Sequence, residues 1–139
     1  MNTKDALWMM SVAEAISARA TCQRAAVGCV LFDFKKRILS TGYNGPPQKH
    51  DHCNKHCPGM AFDGGDNCMS VHAEVNALIQ CRSPDEVVFV VCTHLPCFRC
   101  AKALLNTAME VLYYKHTHVE DDKVLELLYT SKKLFIRKI

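Results

Sequence analysis

Apolar residues near the start of the chain recur at the spacing of one face of a helix. The positions on this face are Met9, Val12, Ala13, Ile16 and Ala20. Their i, i+3, i+4, i+7 pattern predicts an amphipathic helix over residues 5–20. Thr3 is a candidate N-cap, because its hydroxyl group can accept a hydrogen bond from a free amide of the first turn.

Two short apolar runs follow this helix and favour a β-hairpin. Residues 26–34 and 38–43 are predicted to be strands, and the charged residues 35–37 form the turn between them. The second strand ends at residues 44–47, Asn-Gly-Pro-Pro, which are typical turn formers. Because the connection is so short, the two strands are expected to pair antiparallel.

Helical and strand patterns alternate in the second half of the chain. Helices are predicted over residues 70–81, 97–107 and 121–130, and strands over residues 87–93, 110–114 and 134–136. Such alternation is typical of a largely parallel sheet covered by helices. We therefore predict an α/β fold, a three-layer α/β/α sandwich with a five-stranded mixed sheet that includes the hairpin. A length of 139 residues fits a single domain over residues 1–139.

Composition and charge exclude several classes of protein. Hydrophobic residues make up 49% of the chain and charged residues 22%, which excludes a disordered chain or a coiled coil. The longest apolar run, residues 87–92, is far shorter than the ~20 residues that span a bilayer, and residues 1–11 lack the pattern of a signal peptide. We expect a cytoplasmic protein with no membrane partner. The net charge of +3 permits a phosphate-bearing ligand but does not indicate a long nucleic-acid interface.

Cysteine is unusually frequent in this chain. There are nine cysteines, an odd number, and no secretion signal, so metal binding or catalysis is favoured over a set of disulfides. Two of them, Cys53 and Cys57, lie beside histidines in the irregular segment 48–67, which is also rich in glycine. A loop of this length usually carries function or is held by a metal.

Two predicted helix starts carry the candidate chemistry. His72 and Glu74 open one helix, and Cys97 and Cys100 open the next. Both starts are expected at the carboxyl ends of parallel strands, where open α/β sheets place their sites. One imidazole and two thiolates suit Zn²⁺ and leave a fourth position open for water. Glu74 is the candidate general base, because two thiolates neutralise the charge of the metal and weaken it as an acid catalyst.

The same motifs occur in the same order in a known family. His72-Ala73-Glu74 together with Pro96-Cys97-x-x-Cys100 resembles the zinc-dependent cytidine/deoxycytidylate deaminase superfamily. The resemblance covers nearly the whole chain and points to deoxycytidylate (dCMP) deaminases of the bacterial and phage type, with their cytidine-deaminase-like sheet. The other motifs that carry it are Thr21-Cys22-Gln23-Arg24, Val27-Gly28, Gly42-Tyr43-Asn44-Gly45, His52-Cys53, Cys68 and Cys100-Ala101-Lys102.

The resemblance implies an activity and a set of substrate contacts. The reaction is the hydrolytic deamination of dCMP to dUMP and ammonia, which supplies dUMP for thymidylate synthesis. Glu74 would move the protons of this reaction. Asn44 would hydrogen-bond to the sugar, Arg24 would lie near the phosphate, and Ala73 would also contact the substrate.

Regulation and assembly are implied by the resemblance alone. The related enzymes are homohexamers that dCTP activates and dTTP inhibits, often with Mg²⁺. The implied effector-binding residues are Gly42, Tyr43, Asn44 and Gly45. Gly45 is followed here by two prolines, where many relatives carry a further glycine.

A second, structural zinc is also implied by the resemblance. Its ligands would be Cys22, Cys53, Cys57 and Cys68. His52 or His56 could replace one of the cysteines. The alternative is that the four cysteines are buried free thiols.

Two other functions stay open on the sequence alone. A deaminase that acts on tRNA or single-stranded nucleic acid would need a basic channel with aromatic stacking platforms. The chain has 17 basic and 14 acidic residues and only 8% aromatic residues, so we expect no nucleic-acid partner. A zinc-stabilised binding module without catalysis would have a closed metal site and would tolerate the loss of Glu74. Simpler roles also exist for Asn44 as a turn residue and for Arg24 as a solvated charge.

Overall fold

The periodic pattern at the start of the chain forms helix α1 (Thr3–Ser17). In the computed structural model, the described residues are 2–22, 25–51, 68–117, 121–131 and 134–139. The N-cap of α1 is Asn2 and not Thr3, because the Asn2 side chain accepts a hydrogen bond from the Lys4 amide at 2.9 Å. The buried positions of the helix are Ala6, Met9, Met10 and Ala13.

The predicted hairpin forms strands β1 (Gly28–Phe32) and β2 (Ile38–Tyr43), which pair antiparallel. Asp33 organises the turn between them. Its carboxylate accepts hydrogen bonds from the amides of Lys35 and Arg37 and from the Arg37 guanidinium, each at 2.9 Å. These bonds, that of the Arg37 amide above all, hold the pKa of the Asp33 carboxyl below its usual range.

The second half of the chain alternates between helices and strands as predicted. Its elements are α2 (Ala73–Gln80), β3 (Phe89–His94), α3 (Phe98–Leu104), β4 (Val111–His116), α4 (Asp121–Ser131) and β5 (Phe135–Lys138). A single 3₁₀ turn, Pro84–Glu86, precedes β3. Within the described ranges, no helix is long and apolar enough to cross a membrane.

The five strands form one mixed sheet in the order β2-β1-β3-β4-β5. β3, β4 and β5 are parallel, whereas β1 is antiparallel to both of its neighbours. The crossover through α2 makes β3 run in the direction of β2, and β3 lies on the far side of β1. The predicted mixed sheet is thus confirmed. Fewer of its strand pairs are parallel than the alternation of elements indicated, because both pairs that include β1 are antiparallel.

Side chains alternate between the two faces of this sheet. On β1, Val30 and Phe32 pack with residues of α1, whereas Cys29 and Leu31 pack with residues of α2, α3 and α4. Among the described residues, helices therefore cover both faces, one on the first and three on the second. The predicted three-layer α/β/α sandwich is confirmed.

Helix α2 lies directly on strand β2. A β carbon at Gly42 would overlap the backbone of Ala73 and Ala77, so this close approach requires glycine. The Ser40 hydroxyl group donates a hydrogen bond to the Ala77 carbonyl at 2.6 Å. Together these contacts fix the start of α2 relative to the sheet.

Candidate metal centre

Two helices begin at neighbouring points near the carboxyl end of β3. His72 is the N-cap residue of α2, and Cys97 is the N-cap residue of α3. The His72 side chain makes no capping hydrogen bond to its own helix and is directed to other partners. Cys100 lies in the first turn of α3 and is buried.

The three side chains meet at hydrogen-bond distance. His72 Nδ1 lies 3.5 Å from Cys97 Sγ and 3.4 Å from Cys100 Sγ, and the three donor atoms lie within 4.8 Å of one another. Tetrahedral zinc has bonds of about 2.0 Å to nitrogen and 2.3 Å to sulfur, which separates these ligand atoms by about 3.6 Å. The donor set and its spacing therefore fit zinc.

The three donor side chains of this centre shift one another's pKa values. A hydrogen bond from Cys100, with a further contribution from His72, lowers the pKa of the Cys97 thiol to about 3. The same pairing raises the pKa of the Cys100 thiol far above its usual range, and Cys97 raises the pKa of the His72 imidazole. A divalent cation would displace the remaining protons, because metal ligands bind in their deprotonated form.

Glu74 lies in the first turn of α2 beside the three donors, and only 4% of its surface is exposed. Burial raises the pKa of its carboxyl group, opposed by its own backbone amide and by the Cys100 thiol. A carboxyl group whose pKa is shifted towards neutrality is suited both to accept and to donate a proton.

A cavity of about 170 Å³ borders the centre and is lined by His72, Glu74 and Cys97. Asn44 lines it as well and is nearly buried. The Asn44 side chain accepts a hydrogen bond from the Val27 amide at 2.8 Å and donates one to the Ala25 carbonyl at 2.8 Å. It thus holds the segment before β1, while its oxygen and its amide nitrogen each keep the capacity for one more hydrogen bond.

The other predicted site residues fall into two groups. Cys22, Cys68 and Ala73 line the same cavity. Outside the described residues lie Arg24, Cys53, Cys57, His52 and His56. Of the four cysteines predicted to bind a second zinc, the structure thus places two on one cavity wall.

The predicted effector residues, apart from Asn44, pack against the start of α2. Gly42 contacts the backbone of that helix, and the Tyr43 carbonyl accepts a hydrogen bond from the Asn76 amide group at 2.9 Å. Gly45 forms an isolated β-bridge with Val71, with hydrogen bonds of 3.2 and 2.7 Å. Residues 42–45 thus connect the hairpin to the start of α2, the helix that directly follows His72.

Two polar residues that line the cavity were not predicted to do so. The Ser70 hydroxyl group is buried and has no hydrogen-bond partner among the described residues. His94 is the last residue of β3, and its Nδ1 lies 2.9 Å from the Thr93 hydroxyl oxygen. The signal available in the sequence was the position of His94, a polar residue that ends a buried strand three residues before the first ligand cysteine.

Comparison with known proteins agrees with this geometry. Residues 2–116 match the family described as the cytidine and deoxycytidylate deaminase zinc-binding region. The chain belongs to this deaminase family. Membership and the His/Cys/Cys cluster both support zinc as the metal of the centre.

Three relatives of this deaminase-family chain illustrate the match. A deoxycytidylate deaminase of Mycobacterium phage D29 is 30% identical over an alignment of 118 residues, and the match covers 77% of this chain and 91% of the phage protein. ComE operon protein 2 of Bacillus subtilis is 31% identical over 112 residues, 77% of this chain, and the matched region spans only 57% of that protein. The dCMP deaminase of cyanophage S-TIM5, solved with dCMP and dUMP, superposes with a TM-score of 0.83 and 28% identity over 100% of this chain and 99% of that one.

Proposed function

We propose that this chain is a zinc-dependent deaminase that hydrolyses dCMP to dUMP and ammonia. The observation that carries the proposal is the buried carboxyl group of Glu74 beside a three-donor centre, at a cavity that a ligand can enter. A closed structural zinc site would need neither the carboxyl group nor the cavity. The dCMP- and dUMP-bound enzyme of cyanophage S-TIM5, which matches this chain over its full length, supports the choice of substrate.

The proposed roles follow from where the groups lie. His72, Cys97 and Cys100 hold the zinc ion, which supplies a Lewis acid that makes a water molecule more acidic. Glu74 accepts a proton as water adds to C4 of the pyrimidine and delivers it to the ring nitrogen N3. Glu74 then takes the remaining proton of the new hydroxyl group on C4 and passes it to the amine, so that the C4–N bond breaks, ammonia is released and the carbonyl forms.

Three further residues are proposed to bind the substrate. Asn44 uses its remaining hydrogen-bonding capacity on the sugar, and its two backbone contacts hold it in place. Ala73 contacts the substrate from the cavity wall it shares with His72. Arg24 pairs with the phosphate.

A second zinc, bound by Cys22, Cys53, Cys57 and Cys68, is part of the same proposal. Its support is the position of Cys22 and Cys68, which come from distant parts of the sequence and line one cavity. Such a metal would join the end of α1 to the approach of α2. The free energy of metal binding would then count directly towards the folding of the intervening loop.

Regulation and assembly complete the proposal. Residues 1–139 act as one domain that assembles into a homohexamer, and dCTP with Mg²⁺ activates it while dTTP inhibits it. The effectors bind near residues 42–45, which contact the start of α2. The many cysteines fit the reducing cytoplasm.

Ammonia release tests the proposed activity. The zinc-loaded protein is incubated separately with dCMP, deoxycytidine, cytosine and a single-stranded DNA containing cytosine. Rapid release from dCMP alone is the expected result. Release only from the DNA would show a nucleic-acid deaminase, and no release from any substrate by fully zinc-loaded protein would show a binding module.

A further inference from the structure

We propose that Asn76 is a positioning residue that keeps the metal ligand His72 opposite Asn44 across the cavity. Asn76 lies at the end of the first turn of α2 and is not among the described residues that line the cavity. The inference rests on the proposed function, in which both His72 and Asn44 have roles. It adds a side chain that acts on the site through these two residues.

The Asn76 side chain joins two segments that are distant in the sequence. Its amide nitrogen Nδ2 donates hydrogen bonds to the Tyr43 carbonyl at 2.9 Å and to the Val71 carbonyl at 3.4 Å. Both partners are acceptors, so the nitrogen and not the oxygen faces them, and its two hydrogens supply one bond each. The backbone amide of Asn76 donates to the His72 carbonyl at 3.0 Å. One residue thus holds both the end of β2 and the residues directly before α2.

The β-bridge beside these carbonyls determines which residues face each other. Gly45 and Val71 pair antiparallel, with backbone hydrogen bonds in both directions. In an antiparallel pair, the residue before one partner lies opposite the residue after the other. Asn44 comes directly before the bridge and His72 directly after it, so the register places them opposite each other. Their shared position on the lining of one cavity agrees with this register.

The bridge has little support from the backbone alone. It is isolated and has two backbone hydrogen bonds, whereas a pair of strands is held by a ladder of them. The Asn76 side chain adds one bond to a carbonyl of each of the two joined segments. Groups that bind a metal or a substrate must be held to within about 0.5 Å. We therefore expect the loss of this amide to let His72 and Asn44 shift relative to each other.

Asn76→Asp tests the inference with little change in shape. The carboxylate cannot donate a hydrogen bond, and it would face two carbonyl oxygens. The zinc dissociation constant, measured by competition with a chelator, should rise about 10-fold, as is typical when the support of a metal ligand is lost. The sign is diagnostic, because an added negative charge near a cation would by itself tighten zinc binding. An unchanged or lower dissociation constant would overturn the proposal.

Gln80→Glu is the matched control, because it makes the same amide-to-carboxylate change at an exposed position of the same helix. It should leave the zinc dissociation constant within about twofold of the wild type. Asn76→Ala removes the side chain without adding charge and should also weaken zinc binding. Urea unfolding of the metal-free proteins shows whether each variant folds. If neither Asn76 variant folds, the residue holds the fold as a whole and the positioning role is wrong.

Calorimetry with dUMP at saturating zinc tests the part of the proposal that concerns Asn44. Asn76→Ala should bind dUMP about 3- to 10-fold more weakly than the wild type, because a misplaced Asn44 loses a hydrogen bond to the ligand. Equal affinity would overturn this part.

The zinc measurements need no turnover, so they separate this inference from the proposed activity. A wild type that binds zinc but releases no ammonia from dCMP would contradict the proposed activity, and the zinc affinities of the variants would still report on Asn76. A wild type that turns over dCMP, together with an Asn76→Asp variant that binds zinc normally, would overturn the role of Asn76 alone.

Discussion

Two opposing effects act on the pKa of the Glu74 carboxyl group. Its carboxyl group is buried in the first turn of a helix, where the helix dipole favours the charged form and burial favours the neutral form. Burial is the larger effect, and the pKa is raised. A helix-dipole carboxylate at an ordinary surface position would show the opposite shift.

Glu74→Gln tests the proton-transfer role directly. The variant should lower the turnover of dCMP by at least about 100-fold, because general acid–base catalysis contributes roughly 10²–10⁴. Zinc content and the circular dichroism spectrum should match those of the wild type, since the amide has nearly the same shape. Near-normal turnover would show that another group moves the protons.

Ser70 and Ser40 allow a second test at the scale of single hydroxyl groups. Ser70 has no partner among the described residues, whereas Ser40 donates to the Ala77 carbonyl at 2.6 Å. In metal-free protein, Ser70→Ala should leave the free energy of unfolding unchanged or raise it by up to about 1 kcal/mol, and Ser40→Ala should lower it by about 1 kcal/mol. Urea unfolding measures both. A larger loss in Ser70→Ala than in Ser40→Ala would reveal a partner of Ser70.

The residue pattern predicted which donor atoms meet at the centre better than it predicted the lining of its cavity. His72, Cys97 and Cys100 were recognisable because their types and spacing match one kind of metal site. His94 was not, since a histidine at the end of a strand has no such partner pattern in the sequence.

At the scale of elements, the sequence predicted the helices and strands well but not all of their ends. Helix α2 was expected from residue 70 and begins at Ala73. The bridge between Gly45 and Val71 keeps Val71 outside the helix, and His72 is the N-cap residue. A contact between residues so far apart leaves no local signal. The antiparallel pairing of β1 with β3 could not be predicted from the sequence either, because it depends on where the α2 crossover places β3.

The proposed second zinc is tested at the same scale, because it would join two elements through a loop. Elemental analysis should find two zinc ions per chain in the wild type. Cys57→Ser should lose one of them and lower the melting temperature, because the binding energy of the metal is part of the folding energy of that loop.

Cys81→Ser is the matched control for this experiment. Cys81 is a free thiol at the end of α2 and is not among the proposed ligands, so its loss should leave two zinc ions. One zinc per chain in metal-replete wild type would contradict the second site.

At the scale of the whole molecule, the prediction concerns assembly and regulation. The outer surface of α1 exposes Leu7 and Trp8, two large apolar side chains of the kind found in subunit contacts. Light scattering should give six times the mass of the 15.6 kDa chain. We expect dTTP to inhibit the hexamer and dCTP with Mg²⁺ to activate it. Because linkage is reciprocal, bound dCMP should weaken the binding of dTTP by the factor by which dTTP weakens the binding of dCMP. A mass of one chain at micromolar concentration would exclude the hexamer.

The close approach at Gly42 has a consequence for how the metal centre would fail. Any side chain at this position must push α2 away from β2, and His72 directly precedes that helix. One of the three donors would then move relative to the other two while all three stay chemically intact. A Gly42→Ala protein should therefore hold little zinc in dilute buffer and fill again as free zinc is raised, because mass action offsets a weakened affinity. In this way a residue with no side chain, and no contact with the metal, would set the zinc concentration at which the centre is half filled.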